Sequence, residues 1–211
     1  MANTLLILVI LTNIQLLATN RMASLITLVA VQGMLLGVFA LCARWAHIEL
    51  GVLILGVAAI ALKGFVFPWL LRRALKVVHA KRELQPFVGY VASLLIGVLA
   101  LIFALWIGSR LHIPGKEISH LIVPATIFSV FSGLFLTISR KKAISQVVGF
   151  LVMENGVFML GVGTLYYAPF LVEIGVLLDM LVAVLLMTLL ITSMHRVFRH
   201  IDTHQLKRLK G

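Results

Sequence analysis

The chain has 211 residues, of which 62% are hydrophobic and 12% are charged, and it carries a formal net charge of +11. A soluble globular domain has about 25% charged residues, so this composition is that of a polytopic membrane protein without a separate soluble domain. The single cysteine, Cys42, excludes an internal disulfide and a cysteine-ligated iron–sulfur cluster within the chain.

Seven apolar runs follow one another along the chain, and each is long enough to cross a bilayer as an α-helix. The first run lacks the basic start of a signal peptide, so we interpret it as a transmembrane helix. The sequence therefore predicts an all-α polytopic membrane protein with about seven transmembrane helices. These predicted spans, numbered 1 to 7, cover residues 3–19, 23–43, 49–71, 87–109, 119–139, 143–165 and 171–194.

Lysine and arginine residues are distributed unequally between the two ends of the predicted spans. Of the 18 lysine and arginine residues, three lie on one side of the membrane, Lys63 lies within a span, and the remaining 14 lie on the opposite side. The positive-inside rule then predicts a multi-pass protein of the prokaryotic plasma membrane, with its N-terminus outside and its C-terminus in the cytoplasm. The basic excess thus reflects topology and contact with lipid, and we expect no nucleic acid partner. The residues of the richer side are Arg21, Arg72, Arg73, Lys76, Lys81, Arg82, Arg140, Lys141, Lys142, Arg196, Arg199, Lys207, Arg208 and Lys210.

Two parts of the chain resemble each other. IELGVLILGVAAIAL, from Ile48, aligns with VEIGVLLDMLVAVLL, from Val172, and further upstream Gln32 aligns with Glu154. Spans 1–3 and 5–7 are therefore predicted to form a parallel repeat, with span 4 between them. The chain divides accordingly into a first three-helix unit (1–72), a basic cytoplasmic linker with span 4 and an outer loop (73–118), a second three-helix unit (119–198) and a cytoplasmic tail (199–211).

Three charged side chains lie deep within predicted spans: Lys63 in span 3, Glu154 in the stretch GFLVMENGVFML of span 6, and Asp179 in span 7. Each costs roughly 2.5–3.5 kcal/mol at the centre of a lone helix, so such residues face a bundle interior and pair with one another. Burial disfavours the charged form of acids and bases alike, which allows neighbouring groups to exchange protons. The pattern predicts a proton relay, and a static ion pair that orients two helices is the alternative.

Three more residues are candidates for the proton pathway. Gln146 precedes Glu154 by two turns and would extend a polar path along span 6. Glu173 opens span 7 at the outer interface, where a favourable interaction with the helix dipole is the simpler interpretation. His120 begins span 5, whereas the other histidines lie in predicted loops or the tail.

Motifs for catalysis or cofactor binding are not found in the sequence. It contains no P-loop, GxSxG or HExxH pattern. No two histidines are placed to ligate a haem within the membrane, and His200 and His204 in the tail are a weak metal signal. We therefore expect neither a cofactor nor a metal in this chain, and no catalysis by this chain alone.

The stretch RKKAISQVVGFLVMENGVFML, from Arg140 to Leu160, resembles the second span of the small K subunit of respiratory NADH–quinone oxidoreductase. The chain more closely resembles hydrogenase-4 component E, the enlarged relative of that subunit in membrane-bound formate hydrogenlyase complexes. This resemblance is carried by Arg140–Leu160, by APFLVEIGVLLDMLVAVLLM from Ala168, by the ending LKRLKG, and by ALKGFVFPWLLRRALK from Ala61.

The resemblance implies a non-catalytic membrane-arm subunit of a group 4 [NiFe] hydrogenase or a related redox complex. The nickel–iron centre and the iron–sulfur clusters would then lie in partner subunits. Its neighbours would be antiporter-like subunits and the membrane subunits that anchor the redox module. Two other functions fit the residues: a stand-alone small secondary transporter, since a parallel repeat with midplane charges is typical of transporters, and a purely structural assembly subunit.

Overall fold

A computed structural model of the protein describes residues 2–42, 56–57, 60–77, 88–111 and 119–164. Within these ranges the chain is helical and forms no strand, which confirms the predicted all-α class. The helices are α1 (Ala2–Ala18), α2 (Met22–Cys42), α3 (Phe67–Val77), α4 (Tyr90–Arg110), α5 (Ile122–Ser139) and α6 (Ala143–Thr164), and a π-helical segment (Ile60–Val66) leads directly into α3.

Four helices in the described part of the chain are long and apolar enough to cross a membrane: α2, α4, α5, and α6 over Ala143–Val162. The apolar α1 has 17 residues. Length and composition thus support a membrane protein with several spans. Span 7, with Glu173 and Asp179, lies outside the described residues, so the count of seven spans and the parallel repeat stay predictions.

The helix of predicted span 3 continues to Val77 instead of ending at residue 71. Leu71 and Ala74 are fully buried, whereas Arg72, Arg73 and Lys76 are exposed. Because an apolar stripe and a basic stripe can share one helix, the positive charges do not end it. The predicted boundary after residue 72 therefore falls inside α3.

Helices α5 and α6 pack with their backbones in contact. A Cβ atom added to Gly133 of α5 would contact the Met153 amide nitrogen and lie 2.5 Å from the Gly149 carbonyl oxygen. One added to Gly149 of α6 would lie 2.7 Å from the Gly133 carbonyl oxygen. Small residues allow this approach in membrane helices, where close van der Waals packing replaces the hydrophobic effect.

The π-helical segment packs equally closely on α2. A Cβ atom on Gly33 would lie 2.6 Å from the Lys63 Cβ atom and 2.9 Å from the Lys63 carbonyl oxygen. The segment ends just before Pro68, whose missing N–H cannot bond the carbonyl of Gly64. Gly33 thus brings the backbone of residue 63 against α2, with the Lys63 side chain buried.

Apolar side chains form two buried clusters at different levels of the bundle. The first contains Leu16 of α1, Val29 of α2 and Val152 of α6, and the second contains Val9, Leu36 and Phe158 of the same three helices. Between them lies a layer of buried polar side chains. The residues of this polar layer are Asn13, Gln32, Lys63, Ser129, Glu154 and Asn155.

Candidate functional site

Lys63 and Glu154 form a buried ion pair in the polar layer. The Lys63 ammonium donates a hydrogen bond to Glu154 Oε1, and the two residues are 2% and 0% exposed. The Lys63 Nζ atom also lies 4.4 Å from the centroid of the Phe158 ring. A carboxylate and an aromatic face both stabilise a cation. The structure therefore brings together two of the side chains that the sequence singles out.

Hydrogen bonds connect this ion pair to α2, α1 and α5. Lys63 Nζ donates to Asn155 Oδ1 at 3.4 Å, and Asn155 Nδ2 donates to Gln32 Oε1 at 3.3 Å. Gln32 Nε2 then donates to Asn13 Oδ1 at 3.1 Å, and Asn13 Nδ2 donates to Ser129 Oγ at 2.7 Å. Lys63, Asn155, Gln32, Asn13 and Ser129 thus form one continuous chain, here called the amide chain.

Each bond of the amide chain has the same direction. The donor always lies on the side nearer to Lys63, and the acceptor lies on the side nearer to Ser129. An ammonium group has three donors and no acceptor, so Lys63 can only start such a chain. The positive charge of Lys63 and the orientation of the three carboxamides are therefore consistent with one another.

Burial of the polar layer at the middle of the helices costs free energy. Gln32 lies at the middle of α2, and Glu154 and Asn155 lie at the middle of α6. Buried polar groups cost about 1–3 kcal/mol each when they lack hydrogen-bond partners. The amide chain supplies such partners to neutral side chains of four helices, and the carboxylate compensates the ammonium. This arrangement places an acid and a base in direct hydrogen-bonding contact and keeps both away from lipid.

Two predicted pathway residues lie away from this site. Gln146 is exposed, and its Nε2 atom donates to the carbonyl oxygen of Arg140 at 3.2 Å. Eight residues of an α-helix turn through about 800°, which places Gln146 about 80° away from Glu154 around the axis. His120 is exposed in the turn before α5. Neither residue joins the polar layer, and Asp179 and Glu173 lie outside the described residues.

Four members of the amide chain were not among the predicted site residues: Asn13, Gln32, Ser129 and Asn155. For Asn13, Gln32 and Asn155 the signal in the sequence is a carboxamide within each of three apolar helices, whereas the hydroxyl of Ser129 gives no comparable signal. A carboxamide is costly in lipid and finds its partners across helix interfaces. Which helices are neighbours depends on tertiary packing, and the sequence alone does not show this.

A second buried cation lies at the turn between α5 and α6. Arg140 is 1% exposed, its Nη2 atom donates to the Leu17 carbonyl oxygen at 3.3 Å, and its guanidinium lies 5.2 Å from the Tyr90 ring centroid. Burial lowers the pKa of Arg140, while the contact and hydrogen bond with Tyr90 act to raise it. Arginine stays protonated under such shifts, so Arg140 is a fixed charge that ties α1 and α4 to the turn.

Within the described ranges, no group of three or more histidine, cysteine, aspartate or glutamate side chains is placed to hold a metal ion. Among the described residues, the polar layer contains one carboxylate together with neutral amides, a hydroxyl and an ammonium. These groups are suited to hydrogen bonding and to proton exchange within the pair.

Comparison with known proteins identifies a relative of most of the chain and relatives of a smaller part of it. The chain is 34% identical to the uncharacterized protein Rv0085 of Mycobacterium tuberculosis over 194 residues, which cover 89% of this chain and 86% of Rv0085. The chain belongs to the Rv0085 family. No family model matches the sequence, and no solved structure matches it.

This member of the Rv0085 family is also similar to hydrogenase-4 component E. It is 35% identical over 79 residues to the proteins of that name from Escherichia coli K12 and Shigella flexneri. The similarity covers 37% of this chain and 37% of each relative. The chain thus matches little more than a third of the length of these relatives.

Proposed function

We propose that the protein is a non-catalytic membrane-arm subunit of an energy-converting redox complex of the group 4 hydrogenase type, in which it contributes to proton translocation or coupling. The buried Lys63–Glu154 pair carries this proposal. An acid and a base at the middle of a helical bundle are expensive to bury, and such pairs mark proton relays in membrane proteins. The similarity to hydrogenase-4 component E supports the class of complex.

The step assigned to the pair is a proton transfer between its two members. The proton moves along the existing hydrogen bond from Lys63 Nζ to Glu154 Oε1, which converts an ammonium and a carboxylate into an amine and a carboxylic acid. No electron is exchanged. The ion pair and the neutral pair differ in their charge distribution, so the balance between them depends on the charges around them. A change of charge in a neighbouring subunit can then shift the balance.

Partners follow from the same proposal. Nickel–iron and iron–sulfur centres belong to other subunits, and this chain lies between antiporter-like subunits and the membrane subunits that anchor the redox module. The N-terminus lies outside and the C-terminus in the cytoplasm of a prokaryotic plasma membrane. Asp179 of the predicted span 7 continues the relay beyond the Lys63–Glu154 pair, and waters bridge gaps beyond about 3.5 Å.

Purification of the tagged chain from its native membrane in mild detergent tests the assignment to a complex. We expect redox and antiporter-like subunits to co-purify with it. A homo-oligomer of this chain without other subunits would contradict the proposal and favour a stand-alone transporter.

The Glu154→Gln variant tests the role of the pair. Glutamine retains an amide oxygen that can accept the Lys63 hydrogen bond but cannot ionise. We expect unchanged subunit stoichiometry and strongly reduced proton-coupled turnover in sealed vesicles. Gln146→Glu, at an exposed position of the same helix, is the matched control and should keep full coupling. Full coupling in an intact Glu154→Gln complex would indicate a purely structural role for the pair.

A further inference from the structure

The amide chain ends on a different helix from either member of the ion pair. Ser129, its last member, lies on α5, whereas Lys63 belongs to the segment before α3. The three carboxamides between them belong to α6, α2 and α1. Every member is at most 2% exposed, so no bulk water competes for these bonds. A change in the charge of Lys63 can therefore alter the hydrogen bonds of the amide chain one after another.

The direction of the amide chain depends on the charge of Lys63. A carboxamide has a donor end and an acceptor end, so three of them in series can run in either direction. The reverse direction would turn the Asn155 NH₂ group toward Lys63 Nζ. An ammonium cannot accept a hydrogen bond, so this direction is closed while Lys63 is charged. A neutral amine has one lone pair, so the reverse direction opens once Lys63 has given its proton to Glu154 and the Glu154 O–H no longer points at Nζ.

We propose that Asn155, Gln32, Asn13 and Ser129 form a two-state hydrogen-bond chain whose direction is set by the charge on Lys63. In the charged state each group donates away from Lys63, as observed. In the neutral state Ser129 becomes the first donor and Lys63 the last acceptor. This inference rests on the proposed proton transfer for its biological use. Asn155, Gln32, Asn13 and Ser129 are positioning residues for Lys63.

The two directions differ at the α1–α5 contact. In the charged state Ser129 Oγ accepts from Asn13 Nδ2, so the Ser129 hydroxyl hydrogen is available to another acceptor. In the neutral state the Ser129 hydroxyl donates that hydrogen to Asn13 Oδ1. The protonation of Lys63 is thereby communicated to α5, through hydrogen bonds that strengthen one another in a low dielectric.

Asparagine side-chain resonances give a direct test. The chain has only four asparagines, Asn3, Asn13, Asn20 and Asn155. Asn3 and Asn20 are exposed, so they are internal controls for the two members of the amide chain. The full chain is labelled with ¹⁵N at the asparagine side chains, placed in lipid bilayers and measured by solid-state NMR. The Lys63→Met variant removes the group that starts the chain.

We expect Lys63→Met to shift the side-chain amide signals of both Asn155 and Asn13, and to leave those of Asn3 and Asn20 in place. Within the amide chain Asn13 is connected to Asn155 through Gln32, so Gln32→Leu should abolish the response of Asn13 to Lys63→Met. Gln32→Glu should preserve the response, because a protonated carboxyl group also has one donor and one acceptor.

An Asn13 signal that is identical with and without Lys63 would overturn the proposal. So would an Asn13 response that persists in Gln32→Leu, since the signal would then travel by another route. If Gln32→Leu does not fold, an Asn13 signal that Lys63→Met leaves unchanged still overturns the proposal. The experiment needs neither partner subunits nor turnover, so failure of the proposed function in vesicles and failure of the two-state chain are separate results.

Discussion

Lys63 and Glu154 are separated by 91 positions in the sequence and meet in an ion pair whose members are almost completely buried. The pair joins the π-helical segment to α6. The Phe158 ring also stabilises the ammonium, and it lies one turn after Glu154 on the same helix. Removal of either charge therefore affects the stability of the helix bundle as well as any proton transfer.

The first prediction concerns this pair. Lys63→Met leaves the Glu154 carboxylate buried opposite an apolar side chain, and we expect the free energy of unfolding to fall by about 3–5 kcal/mol. Adding Glu154→Gln removes that carboxylate and should recover part of the loss, so the two effects should not be additive. Unfolding in detergent, followed by tryptophan fluorescence, measures both. Lys76→Met at an exposed position of α3 is the control, with an expected change within about 0.5 kcal/mol. Strict additivity would show that the two charges do not stabilise each other.

The second prediction compares two buried serines of α5. Ser129 accepts the hydrogen bond of Asn13 Nδ2, whereas the Ser132 hydroxyl has no hydrogen-bond partner among the described residues. Ser129→Ala leaves a buried amide donor without its acceptor and should cost about 1–3 kcal/mol. Ser132→Ala should be neutral or stabilising. The same unfolding measurement on both variants checks this, and equal effects would show that the Asn13–Ser129 bond does not contribute.

A third prediction concerns the contact between α5 and α6. Gly133→Ala places a methyl group against the Met153 backbone. Because backbone atoms cannot move aside as a side chain can, we expect destabilisation of about 1–3 kcal/mol or more. The control is Gly89→Ala, since a Cβ atom there meets nothing within 4 Å. Thermal unfolding of the two variants should differ clearly, and a Gly133→Ala protein as stable as the control would mean that the helices are further apart than described.

The fourth prediction separates charge from geometry at Arg140. Arg140→Lys keeps the positive charge, so the orientation in the membrane should not change. Lysine lacks the planar guanidinium that contacts the Tyr90 ring and reaches the Leu17 carbonyl. We expect a loss of about 1.5–3 kcal/mol, the range for hydrogen bonds to charged groups. Lys141→Arg at the adjacent exposed position should have no comparable effect, and equal stabilities of the two variants would contradict the structural role of Arg140.

The sequence predicts the helices better than the contacts between them. Apolar runs predict α1, α2, α4, α5 and α6 to within a few residues, because lipid demands both length and apolarity of a spanning helix. The cost of burying Lys63 and Glu154 is also visible in the sequence, which is why their pairing could be anticipated. Helix α3 was harder, since its basic stripe suggested the end of a span.

The amide chain could not be predicted from the sequence. In the sequence Gln32 is a neutral residue aligned with Glu154, and Asn13 is one of several polar residues of the first span. Their importance comes from the packing of α1 and α2 against α5 and α6, which brings Asn13 to Ser129 and Gln32 to Asn155. Gln146 illustrates the opposite error, because sequence proximity to Glu154 suggested a shared face that the helical rotation does not provide.

The π-helical geometry at Ile60–Val66 has a consequence for the evolution of this site. A π-type hydrogen bond encloses one residue more than an α-type bond, so the segment accommodates an additional residue without a break in the helix. Deleting one residue there is expected to restore a regular α-helix and to rotate the side chains on one side of the deletion by about 100° relative to those on the other. A different side chain would then face Glu154. The charge opposite this carboxylate is therefore determined by the length of the chain in this segment as well as by the identity of residue 63, so insertions and deletions can gain or lose the site as readily as substitutions.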